Sequence, residues 1–214
     1  MDARTFAPGV DRTEVVEMSE QVVRMLLHVR QAFVRLDPAS FEEARRLGRA
    51  VHLHGHALID RLVSRTASRG AGVVEVDQDE VFIPMHLGRI ADNIELLGLA
   101  IDRMVREGTP FTDRANREVR HLFDGVLEML EGLRDALRTG NRTLVRYIQD
   151  AGKSCEAQAN EYALFHEQRL IEGVCQPRSS SIYLAMLDHL KGVEWHARQV
   201  AEKLQPPIHI DGYS

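Results

Sequence analysis

The chain is short of the features that mark most chemistries. It has two cysteines, Cys155 and Cys175, twenty residues apart. That spacing makes no close metal-binding pair, and two thiols cannot build a disulfide framework; both read as buried small apolar groups. No stretch approaches the ~20 consecutive apolar residues of a membrane span. The net charge of −5 and the pI near 6.1 lack the basic footprint of a nucleic-acid binder. Met1 to Phe6 contains no apolar signal core, so a cytoplasmic location is expected. Gly-rich phosphate loops, nucleophile elbows and low-complexity tracts are all missing.

What the chain does have is apolar residues at helical spacing. They make up 44% of it with the aromatics, a share that can fill a substantial core in 214 residues. Val15, Met18, Val22, Met25, Leu26, Val29 and Phe33 form an i, i+3, i+4, i+7 stripe that stops at Asp37-Pro38. A second helix is predicted from Ser40, with Glu42 and Glu43 in its first turn, to about Arg69, where Gly70-Ala71-Gly72 ends it. Val73 to Val76 reads as an extended linker. Further helices are predicted over 79–106, 113–138 and 142–172, and a serine run, Ser179-Ser180-Ser181, should cap the last, which ends before Pro206-Pro207. Helices of this length span ~40 Å, and short links force antiparallel neighbours.

The pattern also repeats. At an offset of 103 residues His86 falls on His189, Leu87 on Leu190, Ile90 on Val193 and Leu97 on Val200. Gly70 falls likewise on Gly173 and Leu62 on Phe165. A period this long suits a small bundle used twice, not a solenoid. The expected fold is therefore all-α: two tandem pseudo-repeated three-helix bundles over 1–110 and 111–205, with a tail over 206–214. If the register is right, Leu87, Leu190, Ile90 and Val193 are all core residues. The tail, Gln205 to Ser214, reads as a loosely docked end or a short partner-binding segment.

Phe165-His166-Glu167-Gln168-Arg169-Leu170-Ile171-Glu172-Gly173, followed by Ser180 to Leu190, resembles the C-terminal stretch of PhoU-like proteins. It is especially similar to the PhoU-like domain of sodium/phosphate cotransporters. Leu87-Gly88-Arg89-Ile90-Ala91-Asp92-Asn93-Ile94 resembles the family's acidic-Leu-acidic-Arg-Ile-Gly-Asp helix. The likeness covers about residues 12 to 204. It implies a six-helix regulator and not an enzyme, one that holds phosphate signalling off by binding a phosphate transporter or a phosphate-sensing histidine kinase. Such a protein would meet the membrane only through its partner, and the resemblance leaves homodimerisation open. It also implies multinuclear metal binding by a Glu/Asp-x-x-x-Asp pattern on the third and sixth helices. Here those pairs read Gly88 with Asp92 and Lys191 with Trp195, so one carboxylate survives in the first copy and none in the second.

The histidines supply other candidate ligands. His52, His56 and Asp60 recur every four residues on one face, with His54 pointing elsewhere. Imidazole and carboxylate in that pattern suit a divalent transition metal such as zinc or iron. His86, Asp92 and His189 complete the candidate set, provided that they face one groove. The competing account makes the cluster partly exposed polar residues beside a core stripe of Leu53, Leu58, Ile59 and Leu62. Glu118-x-x-His121 is half of a ferritin-like di-iron signature, and no second copy occurs. Arg89 is close enough to Asp92 to pair, or to contact an anion or a partner. Trp195, the only tryptophan, is a second candidate contact if it is half exposed.

Overall fold

The computed structural model describes residues 12–67 and 78–204. Among them are six helices and no strand: α1 (Arg12–Arg35), α2 (Pro38–Ala67), α3 (Gln78–Arg106), α4 (Asp113–Thr139), α5 (Arg142–Ile171) and α6 (Pro177–Lys203). The expected glycine stop at 70–72, the linker at 73–76 and the tail from Gln205 lie outside the described residues.

Two helix starts differ from the sequence reading for the same reason. Proline lacks an N–H, and the first N–H of a helix has no partner anyway, so Pro38 and Pro177 open α2 and α6 rather than standing outside them. Asp37 caps α2: its carboxylate accepts from the Ala39 N–H at 3.0 Å and the Ser40 hydroxyl at 2.8 Å. Glu42 and Glu43 consequently sit in the second turn, where they pair with Arg45 and Arg46. The serine run lies inside α6, and Ser179 and Ser180 donate back to the Gln176 carbonyl instead of capping. The ends of α4 are as expected. Thr112 accepts from the Ala115 N–H at 3.2 Å, and Gly140 closes the helix with φ 70°, a left-handed conformation that costs glycine nothing.

α2 packs on α1 and α3, and α5 on α4 and α6. The two units meet through α1 against α4 and through α3 against α6, the latter being the most extensive helix pairing. Neither outer helix touches the opposite unit among the described residues. One continuous core results: the ring centroids of Phe33 of α1 and Phe123 of α4 lie 5.7 Å apart, and apolar residues of all six helices join them.

The repeat register holds in three dimensions. Leu87, Ile90 and Leu97 on α3 are 0% exposed, and their counterparts Leu190, Val193 and Val200 on α6 are at most 1% exposed. The outer helices agree as well. A Cβ on Gly48 of α2 would lie 2.1 Å from the Glu95 carboxylate, and one on Gly152 of α5 would lie 2.6 Å from the Arg198 side chain. Glu95 and Arg198 are 103 positions apart. In each unit, then, a glycine on the outer helix lets a long charged side chain of the third helix lie against backbone. One detail of α2 departs from expectation: Leu53 is 71% exposed, and the buried stripe runs instead through Ala44, Leu47, Val51 and Leu58.

Candidate functional site

The candidate residues cluster along the α3–α6 seam, at which the units join, and on the α2 face beside it. His86 of α3 is buried and meets His196 of α6, Nδ1 to Nδ1, at 2.8 Å. At that distance one nitrogen donates and the other accepts. Phe82, at 4.1 Å between ring centroids, and Trp195, at 5.8 Å, complete an aromatic box around His86. Trp195 itself is 45% exposed. Lys203 lies over the Phe82 ring at 4.9 Å.

Under the 103-residue offset, His86 and His196 correspond to His189 and Asn93. A Cβ on Gly192 would lie 2.3 Å from the Asn93 side chain, and His196 meets His86, so α3 and α6 run antiparallel past one another around Ile90 and Val193. His189 is half-buried, and burial holds its pKa below the ordinary imidazole value. The structure thus pairs His86 with His196, not with His189.

The remaining candidates fall elsewhere. His52 on α2 approaches Asp92 at 3.4 Å and Glu95 at 3.8 Å across to α3. Asp92 also accepts from Arg89 at 3.3 Å, the ion pair the spacing suggested, and Arg89 is largely exposed. His56 and Asp60 are exposed farther along α2. Among the described residues no group of three or more His, Cys, Asp or Glu side chains is placed to hold a metal ion. The second unit carries a pair of reversed polarity: Arg198 binds Glu156 at 2.9 Å and the buried Glu194 at 2.7 Å. Burial raises the Glu194 pKa, with Arg198 opposing.

Sequence reasoning also missed a buried polar hub. Glu118 of α4 accepts two hydrogen bonds from the Arg169 guanidinium, at 2.9 and 3.1 Å, one from Tyr183 Oη at 2.6 Å and one from Arg114 at 2.9 Å. Burial alone would raise its pKa, but these donors outweigh it and the net shift is downward. His121 turns away to Tyr162 at 2.8 Å, so Glu118 and His121 do not act as a ligand pair. The signal was present in the sequence: Glu118 interrupts the apolar stripe of Ala115, Val119 and Leu122, and Glu194 interrupts that of Leu190, Val193 and Ala197.

No protein-family model matches the sequence, and no curated protein matches it significantly. Among solved structures, PhoU from Pseudomonas aeruginosa superposes with a TM-score of 0.77. The match spans 90% of this chain and 92% of that one, at 19% identity. The fold is that of PhoU. No described helix is long and apolar enough to cross a membrane.

The seam carries a pH dependence whose sign can be worked out. Burial, then the neighbouring His86, then Arg89 push His196 down to about 4, with Asp92 opposing; burial and Arg89 lower His86 as well. Between pH 4 and the ordinary imidazole value near 6.5 the unfolded chain therefore binds more protons, and stability falls as pH drops through that window. The His196 contribution is about 2–3 kcal/mol between pH 7 and pH 4, from a shift of this size in a partly buried group. Urea melts followed by Trp195 fluorescence should show it. His196→Asn, which installs the residue of the other half, should be less sensitive to acid over this window; equal slopes for the two proteins would refute the assignment.

Proposed function

We propose that this protein is a PhoU-like regulator of phosphate uptake or phosphate-responsive signalling, and that it works by binding and not by catalysis. The observation that carries this reading is the superposition on PhoU along nearly the whole of both chains. The sequence resemblance to PhoU-like proteins at Phe165 to Leu190 agrees with it. The partner would be a phosphate transporter or a phosphate-sensing histidine kinase, reached in the cytoplasm. The α3–α6 seam supports the choice of contact: Trp195 of α6 offers a half-exposed aromatic anchor and Arg89 of α3 an exposed cation. Regulation requires that a signal bind one state of the complex better than the other.

Deleting the gene should alter phosphate accumulation or a phosphate-responsive reporter, and restoring the wild-type chain should reverse the change. Trp195→Ala with Arg89→Glu should fold normally and fail to restore it. Full restoration by that double variant would remove the seam from the mechanism. A deletion with no phosphate phenotype would remove the functional reading itself.

A further inference from the structure

Among the described residues α5 packs against α4 and α6 alone, and one side of it faces outward along its length. Arg142, Arg146, Lys153, Ala157, Leu164 and Ile171 stand on that side, in steps of four and seven residues that keep them on one line. All six are exposed, Leu164 to 64% and Ile171 to 86%. The line has two halves. Three cations fill the first, and none of them forms an ion pair with a described residue. Asp150 is the one acid between Arg142 and Lys153. In the second half Ala157, Leu164 and Ile171 recur every seven residues, the spacing at which a second helix lying alongside stays in register.

Packing of the unit does not require this pattern. At the positions 103 earlier α2 carries Ala39, Glu43, Ala50, His54, Ala57 and Arg61, with Glu43 paired to Arg46 and Arg61 to Glu14. Single exposed apolar residues are ordinary on protein surfaces; a continuous line that joins them to unpaired cations is not. A second copy of the chain does not match the line. Two α5 helices side by side in parallel set cation against cation, and antiparallel ones set arginine against leucine and isoleucine. An anionic lipid surface does not match the apolar half, because exposed Glu161, Glu167 and Glu172 flank it.

The geometry points to this face as the docking site for an amphipathic helix of a partner protein. That helix is acidic where it lies on Arg142, Arg146 and Lys153, and apolar where it lies on Ala157, Leu164 and Ile171. The inference names the chemistry of the partner in the functional reading above and rests on that reading. The occupant packs against α5 as a seventh helix of the bundle. Its carboxylates take the unpaired cations, and its apolar stripe covers Leu164 and Ile171. The contact is on a different helix from Trp195 and Arg89, so it adds to the seam instead of replacing it.

The test uses the full chain in the cells that make it. A benzophenone amino acid replaces Lys153 in one variant and Leu164 in another, and the cross-linked peptides are sequenced by mass spectrometry. Both positions should capture one segment of one protein, with helical periodicity, acidic residues near the Lys153 cross-link and apolar residues seven apart near the Leu164 one. The same probe at Ala57, exposed on α2, should not capture it. Arg142→Glu with Arg146→Glu and Lys153→Glu should keep the wild-type urea melt and lower the Leu164 cross-link yield about tenfold or more, as charge reversal in a complementary contact does. Capture of lipid, of a second copy of this chain or of a segment without that pattern overturns the proposal. So does no capture at either position, or an unchanged yield in the folded triple variant. If the triple variant does not fold, the sequence of the cross-linked segment decides alone. The outcome is separable from the phosphate phenotype. A matching helix from a protein outside phosphate control keeps the docking face and counts against the functional reading, whereas a phosphate phenotype without capture keeps that reading and removes the face.

Discussion

Replacing Glu118 with alanine should lower stability by about 3–5 kcal/mol, because removing one member of a buried charge pair leaves the other uncompensated. The Glu118 side chain is 7% exposed and that of Arg169 11%, so water cannot take over the lost contacts. Tyr183, which is 0% exposed, would also lose the acceptor for its hydroxyl. Glu118→Ala combined with Arg169→Met should recover part of the loss, since it removes the orphaned cation together with its partner. By contrast Glu156→Ala should cost well under 1 kcal/mol, because Glu156 is 46% exposed and meets Arg198 at the surface. The hub has its own pH signature. The folded-state pKa of Glu118 is depressed, so its contribution is complete above the ordinary carboxylate range and is lost as pH falls through the folded value. Urea melts of the four proteins check the ranking, and a loss below about 1 kcal/mol for Glu118→Ala would show that the hub adds little.

The second large effect concerns the seam. Leu87→Ala and Leu190→Ala should each cost about 2–5 kcal/mol, the range for deleting a buried leucine from a core that cannot collapse around it. Ile90→Ala should fall in the same range and Val193→Ala at or below its low end. All four side chains are at most 1% exposed, and they lie on α3 and α6, the more extensive of the two helix pairs that join the units. The seam residues should therefore weaken both halves at once, and each variant should unfold in a single transition. A variant in which one unit melts ahead of the other would show that the units are separable domains. Near-zero losses at Leu87 and Leu190 would contradict the repeat register itself.

The helices were legible in the sequence because each buries one stripe, and a stripe has a period that can be read without its neighbours. The offset of 103 was legible for the same reason: apolar positions must match wherever the same packing is used twice. Partnerships between polar groups carry no such period. His86 and His189 looked like members of one ligand set because the two are equivalent by sequence, yet equivalent positions on an antiparallel helix pair need not face one groove. His86 reaches His196, which stands where the first half has Asn93. His52 finds Asp92 and Glu95 instead of joining His86, and Glu118 is held by Arg169, Tyr183 and Arg114 instead of working beside His121.

By itself the sequence determined that the chain is helical, duplicated, and filled by Leu87, Ile90, Leu190 and Val193, because burial of apolar area is additive and local spacing decides which face is buried. Gly140 and Gly173 stand at helix ends as the sequence suggested, whereas Pro38 and Pro177 open their helices instead of standing outside them. Only the tertiary structure decided which charged and aromatic side chains meet. Hydrogen bonds and ion pairs depend on distances of a few tenths of an ångström between helices far apart in the chain, and those distances are set by how α3 lies on α6 and how α4, α5 and α6 close around Glu118.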